Sequence, residues 1–288
     1  MSEQQEYKQK VRKFYDAIGW SKESSGYYQN AHYEDLRPVS AEYIHNCHLR
    51  ITPYFKDGGK LLLDLGSGPV QYDEYLTYSE HFEKRLCADI SITALREARE
   101  RLGDKGLYVV CDAANLPFKD ECIDGVVSLH TFHHLDLEEQ KKAWYECCRV
   151  MTQKAVAVIV NGWTESAMMK KWQGRMEFAE KVGTKIAELR GKQPKKSGKT
   201  QKTAEKEKGT YTKKMDPEWI RENLSGLNGG NVDIQIRCWR SVSVRWLRAL
   251  IHNPYGKAAL RNLYQKEEQN PEYYGEYGQY PMIIMKKK

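Results

Sequence analysis

Three acidic residues close three successive apolar stretches. Asp64 follows Leu61-Leu62-Leu63, Asp89 follows Cys87-Ala88, and Asp112 follows Val109-Val110-Cys111. Just after the first comes Gly66-Ser67-Gly68, then Pro69 and Val70. Glycines at such a turn let the backbone approach a ligand closely and open the next element toward it. The dinucleotide fingerprint needs a further glycine at position 71, where this chain has Gln71. Asp64 sharpens the distinction. A dinucleotide lays an anionic pyrophosphate on this turn, and a carboxylate there repels it, whereas a cationic ligand without phosphate suits it. Asp89, with Ile90 beside it, comes 21 residues after Gly68, and a carboxylate there can accept both hydroxyls of a ribose. Asp112 can accept from the exocyclic amine of an adenine while Ala113 offers its backbone N–H. Any one of these acids alone reads as an ordinary strand-end cap. The three together point to a nucleoside-bearing ligand.

A second group of chemically able residues is Ser128-Leu129-His130-Thr131-Phe132-His133-His134. An imidazole titrates near neutrality, so His133 or His134 could serve as a general base. The bland alternative is that the paired histidines pack this loop against the next helix. A third group is Tyr27 to Pro38, dense in polar aromatics, where Tyr28, His32, Tyr33 and Arg37 are candidate substrate contacts. It reads equally well as a surface loop in a chain with 19 tyrosines.

Regular elements must hold these groups. From Lys60 to Asn161 short apolar runs alternate with amphipathic stretches. The apolar runs are 61–64, 85–88, 107–111, 123–129 and 155–160. Helices are expected over 70–79, after a Ser91 cap, and over 137–150 after an Asp136 cap. Such alternation implies right-handed crossovers and a parallel sheet. Before it, residues 4–19 show an amphipathic face (Tyr7, Val11, Phe14, Tyr15, Ile18), and 40–55 read as a second helix with Ser40 as a possible N-cap. After Gly162, residues 164–190 and 241–265 read as helical. Asp216-Pro217 reads as a helix start, Val232–Trp239 as a strand, and Tyr280–Met285 as a last apolar strand.

With LLDLGSGP, CADIS and CDAANLPFKDECIDGVVS in view, residues 55–162 resemble the class I S-adenosylmethionine-dependent methyltransferases. The branch is similar to the quinone-biosynthesis (methyltransferase type 11) enzymes. The resemblance implies an α/β, Rossmann-like sheet of seven mostly parallel strands, the last antiparallel, with an N-terminal helical lid and helical insertions. The division expected is a lid over 1–55, a cofactor-binding core over 56–162, a helical insertion over 163–230, and strands with a helical insertion over 231–288. The implied cofactor is S-adenosyl-L-methionine, a sulfonium without phosphate, giving S-adenosyl-L-homocysteine. Its contacts would be Asp64, Gly66, Ser67, Gly68, Asp89, Ile90, Asp112, Ala113, His130 and, from the lid, Tyr15. His130 matches a position that lines the methionine part. His133 is the candidate catalytic base, with His134, Tyr28, His32, Tyr33 and Arg37 toward the acceptor. One departure stands out: many relatives have a third glycine where this chain has Val70. The loop after the fourth strand lacks the Asn/Asp-Pro-Pro-Tyr/Phe segment of amino-methylating DNA enzymes.

Composition bounds the reading. The 288 residues are 40% hydrophobic and 30% charged, with no apolar run long enough for a membrane span and no signal-peptide core, so a cytoplasmic enzyme is expected. The seven cysteines are odd in number and contain no C-x-x-C pair, so they read as reduced core fillers and not as metal ligands or disulfides. Residues 191–214, nine lysines against two glutamates, carry the whole net charge of +7 and read as a flexible loop. The body is thus formally neutral, which argues for a small-molecule acceptor and against a nucleic-acid partner. The alternatives are an RNA or protein methyltransferase that uses the lysine-rich stretch as a tether, and a non-catalytic cofactor-binding homologue.

Overall fold

The computed structural model describes residues 34–189 and 215–287, together with Glu6, Gln9, Arg12, Lys13 and Asp16. Most of the helix expected over 4–19, the lysine-rich stretch 191–214, and the candidates Tyr15, Tyr28, His32 and Tyr33 lie outside the described residues.

The strands are β1 (Gly59–Leu65), β2 (Phe82–Asp89), β3 (Gly106–Val110), β4 (Ile123–Leu129), β5 (Met151–Val160), β6 (Val232–Arg240) and β7 (Tyr280–Lys287). They form one sheet in the order β3-β2-β1-β4-β5-β7-β6. β1 pairs in parallel with β2 and β4, and β7 pairs antiparallel with both β5 and β6. This is the seven-stranded, mostly parallel sheet that the sequence implied. Its central strands are apolar on both faces, as helix-covered parallel strands must be. Leu63, Val126, Ala157 and Ile283 share one cluster with Trp144. Leu62, Val127, Val158 and Ile284 share another with Ile51 and Trp239.

The helices are α1 (Ala41–Leu49), α2 (Ile92–Leu102), α3 (Leu137–Val150), α4 (Ala167–Leu189), α5 (Pro217–Leu224), α6 (Val244–Leu250), α7 (Gly256–Gln269) and α8 (Pro271–Tyr277). Their starts follow from side chains that satisfy otherwise orphaned N–H groups. Ser91 accepts from the Ala94 N–H at 3.2 Å, Asp136 from Glu139 at 2.9 Å, and Asp216 from Trp219 at 2.8 Å. Ser40 does not cap α1; its hydroxyl donates to Asp35 at 2.6 Å.

Three helical expectations are corrected. The helix expected over 40–55 ends at Leu49, and a separate 3₁₀ turn, with Pro53 in its first turn, covers Thr52–Phe55. Residues 70–79 do not form an α-helix. A 3₁₀ turn covers only Asp73–Ser79, because Val70 is left-handed (φ 54°). A β-branched residue there costs about 1–2 kcal/mol. Val70 is fully buried against Cys87, Leu95 and Ala98, which offsets that cost. Residues 241–265 are two helices, α6 and α7, because Pro254 bars a helical conformation for Asn253 and has no N–H to donate.

β6 runs in the same direction as β5, since both are antiparallel to β7. The ends of β1, β2, β3, β4, β5 and β6, and the beginning of β7, therefore share one edge of the sheet. Strand order reverses beside β1, and in open α/β sheets a ligand binds outside the carboxyl ends at such a switch point. Five cysteines (47, 87, 147, 148, 238) are buried, and all seven are free thiols. Among the described residues no helix is long and apolar enough to cross a membrane, and no group of three or more His, Cys, Asp or Glu could hold a metal ion.

Candidate functional site

The loop after β1 is built by alternate left-handed residues, Gly66 (φ 70°), Gly68 (φ 53°) and Val70. At Gly66 a Cβ would stand 2.1 Å from the Thr131 Oγ1, so only glycine lets this loop lie against the end of β4. The Gly66 N–H donates to the Ala88 carbonyl at 2.7 Å, and the Gly68 N–H donates to Asp89 Oδ2 at 2.9 Å. The Ser67 hydroxyl turns back onto the Gly68 carbonyl at 3.2 Å.

Asp89 is the hinge of this arrangement. Its other oxygen accepts from the Ser91 N–H at 2.8 Å. Burial pushes its carboxyl up to about 6; the Ser91 and Gly68 N–H groups pull the other way, and the neighbouring charges of Asp64 and Asp16 add to the rise. At neutral pH it is still mostly ionised and remains an acceptor. Ile90 follows it, half-buried.

Asp64 is buried and already holds a cation. The Arg85 guanidinium, itself fully buried, donates to Asp64 Oδ2 from Nη2 at 2.6 Å and from Nε at 3.0 Å. The chain thus balances most of the charge that the sequence assigned to a cationic ligand. Asp112 lies two residues beyond β3, half-buried, and its Oδ1 accepts from the Ala114 N–H at 3.0 Å, closing the turn that contains Ala113.

At the end of β4, His130 is left-handed (φ 56°) and its N–H donates to the Val160 carbonyl at 2.7 Å. Its ring meets Trp239 (centroids 5.1 Å) and Tyr280 (5.5 Å) edge-on. A non-glycine residue in this conformation is uncommon. His133 and His134 stand in a 3₁₀ turn with ring centroids 4.2 Å apart. His133 Nδ1 lies 3.3 Å from Oδ1 of Asn161, the buried residue after β5.

Arg37 is drawn elsewhere. It pairs with Asp35 and donates to the Leu247 carbonyl at 2.8 Å and the Ile251 carbonyl at 3.1 Å, at the end of α6. It therefore clamps the N-terminal segment to α6.

Sequence reasoning missed four residues beside His130. Glu34 and Arg240 form a buried ion pair. Burial raises the Glu34 carboxyl, but Arg240 and His48 outweigh this and hold it down to about 2. His48, on α1, is fully buried, stacks on Trp239 at 5.6 Å, and lies 3.9 Å from Glu34 Oε2 and 3.6 Å from Glu74 Oε2. The available signal was Trp239-Arg240 at the carboxyl end of an apolar strand. Asp16 was also missed; it accepts the hydroxyl of Ser91, the cap of α2, at 2.6 Å.

Residues 63–159 match the family described as "Methyltransferase domain". Among relatives, the tRNA (carboxymethyluridine(34)-5-O)-methyltransferase of Arabidopsis thaliana is 28% identical over 157 residues, 46% of this chain and 37% of that protein. The probable tRNA methyltransferase 9B of Homo sapiens is 25% identical over 131 residues, 39% of this chain and 27% of that protein. This chain thus spans about a third of the length of these relatives. Among solved structures, phosphoethanolamine N-methyltransferase 1 of Haemonchus contortus aligns over all of this chain and 50% of its own (TM-score 0.59, 11% identity). Geranyl diphosphate C-methyltransferase of Streptomyces coelicolor aligns over 98% of both chains (TM-score 0.53, 13% identity). At these identities the structures share the fold alone.

Proposed function

We propose that the chain, whose residues 63–159 match a methyltransferase domain, transfers a methyl group from S-adenosylmethionine to a small-molecule acceptor. The observation that carries the cofactor half of the reading is the bond from the Gly68 N–H to buried Asp89; the small-molecule half rests on the formal neutrality of the chain outside 191–214. That bond fixes an open glycine loop and a carboxylate side by side at the switch point of the sheet. These residues fit a ribose-bearing ligand without phosphate: the glycine backbone admits close approach, and the ionised Asp89 accepts hydroxyl protons. When bound, S-adenosylmethionine supplies an electrophilic methyl. The chain positions the acceptor in line and, for a hydroxyl acceptor, removes its proton.

His133 is the candidate base. If its Nδ1–H donates to Asn161, the lone pair resides on Nε2, the tautomer that a base requires. Ala at position 133 should then lower turnover by roughly 10²-fold or more and leave affinity for S-adenosylhomocysteine unchanged. Full turnover in H133A would remove the residue from the reaction.

A second reading, methylation of tRNA, is favoured by the names of the relatives and by the lysines of 191–214. Salt separates the two. Formation of S-adenosylhomocysteine is followed with a small-molecule extract and with bulk tRNA, at low and moderate salt. A small acceptor gives turnover that changes little with salt. A tRNA held by six or more lysine–phosphate contacts loses about 10³-fold or more in affinity over that range. Turnover on tRNA alone, steeply weakened by salt, would replace the first reading with the second.

A further inference from the structure

Trp239 and Arg240 are consecutive residues of a strand, and consecutive side chains ordinarily face opposite sides of a sheet. Here the pairing of β6 with β7 is irregular between Cys238 and Arg240. The irregularity brings both side chains together: the Arg240 guanidinium lies 5.1 Å from the Trp239 ring and 4.6 Å from the Tyr280 ring. Both residues are buried. The Nε1–H of Trp239 and the Nε–H of Arg240 have no hydrogen-bond partner. A buried N–H without a partner is costly, and native structures keep few of them. The indoles of Trp144 and Trp246 are also unpaired, but they lie in apolar clusters with Phe132 and Trp172. Only at 239–240, among these, do two such donors belong to neighbouring residues at the carboxyl edge.

Their place in the fold gives them a use. The ring of His130, which closes β4, is 5.1 Å from that of Trp239. The ends of β1 to β3 hold the nucleoside half of the site, so the acceptor must come from the side of β4 and beyond. Beside the cluster, His130, Tyr280 and Tyr72, whose ring is 4.7 Å from that of His48, are half-buried.

We propose that Trp239 Nε1–H and Arg240 Nε–H bind an oxygen of the methyl acceptor, a hydroxyl or a carboxylate. The assignment to the acceptor rests on the methyltransferase reading above. Two donors meet lone pairs on one oxygen or on a carboxylate pair. An ammonium offers only further donors. Glu34 already balances Arg240, so a hydroxyl fits the cluster as it stands. A carboxylate fits by taking Glu34's place on the guanidinium, a pairing whose planar fork favours it.

The test uses the indole N–H signals of the ¹⁵N-labelled full chain, which has seven tryptophans. W239F identifies the signal of Trp239 by its loss. Acetate, phenol and methylammonium are then added separately. Acetate or phenol should move the Trp239 signal, and whichever of the two does so distinguishes the carboxylate source from the hydroxyl source. R240K, which keeps the positive charge but lacks Nε–H, should weaken that response roughly tenfold, the worth of one charge-assisted hydrogen bond. Methylammonium moving the signal as far as either oxygen probe, or no probe moving it, overturns the proposal. Calorimetry with S-adenosylhomocysteine runs in parallel on the wild type and R240K, with equal affinity expected. Failure of the wild type to bind it overturns the methyltransferase reading, and with it the assignment of this oxygen site to the acceptor.

Discussion

Asp64→Ala should lower the free energy of unfolding by about 3–5 kcal/mol, the cost of leaving a buried charge without its partner. The Arg85 side chain is 1% exposed and that of Asp64 6%. Burial works against the guanidinium's charge, and Asp64 outweighs it. The third anchor of Arg85 is the Tyr75 carbonyl at 2.5 Å, which cannot neutralise it. Urea denaturation of the two proteins measures the difference. Replacing both partners by apolar residues of similar volume, Asp64→Leu with Arg85→Met, should restore most of the loss, since an apolar pair carries no desolvation penalty. A single variant within about 0.5 kcal/mol of wild type, the range of an ordinary surface change, would show that water reaches Arg85 and that the pair is not structural. Affinity for S-adenosylmethionine should fall far less than stability does, because Arg85 already meets the carboxylate.

Asp89 should behave in the opposite way, with a large effect on binding. Asp89→Ala removes an ionised acceptor and should weaken S-adenosylhomocysteine by about 1.5–3 kcal/mol, roughly 10- to 150-fold. The pH dependence follows from the raised carboxyl. As pH falls through about 6 the folded protein's Asp89 takes up a proton and ceases to be a full acceptor. Affinity should therefore be flat above neutrality and decline below about pH 6, a unit or two above where an ordinary aspartate would act. Asp89→Asn should bind weakly at every pH and lose that decline. Calorimetry across this range decides. Unchanged affinity in Asp89→Ala would take the ribose away from this residue, whatever else binds at the edge.

The frame of the site was legible because it is periodic and local. Leu61-Leu62-Leu63, Ile123–Leu129 and Ala155–Val160 are apolar runs flanked by turn residues, and each became a strand of the sheet. Ser91 and Asp136 announced their helices by type and place, and both cap. What stayed hidden depends on partners distant in sequence. Nothing near Asp64 announces Arg85, 21 residues on. Nothing near Glu34 announces Arg240, 206 residues away. The helix expected over 70–79 failed for a different reason: Val70 has ordinary helical spacing to its neighbours, but the loop requires a positive φ that sequence periodicity does not express. His48 reads as one more polar residue on an amphipathic helix. Only the packing of α1 against Trp239 puts its imidazole beside the carboxyl end of β6.

The place of β7 has a consequence for the order of assembly. β6 touches the sheet through β7 alone, and β7 begins 40 residues after β6 ends. A growing chain therefore exposes β5 as an open edge while α4, α5 and β6 are already made. Not until Tyr280–Lys287 slides between two waiting strands can Trp239 and Arg240 come to rest against His130. Synthesis runs at about 5–20 residues per second, so this interval is seconds long. During it the apolar flank of β5 is an unpaired template for any other strand. The half of the edge assigned to the nucleoside, carried by β1 to β3, can form early. The half assigned to the acceptor forms only once β7 is in place.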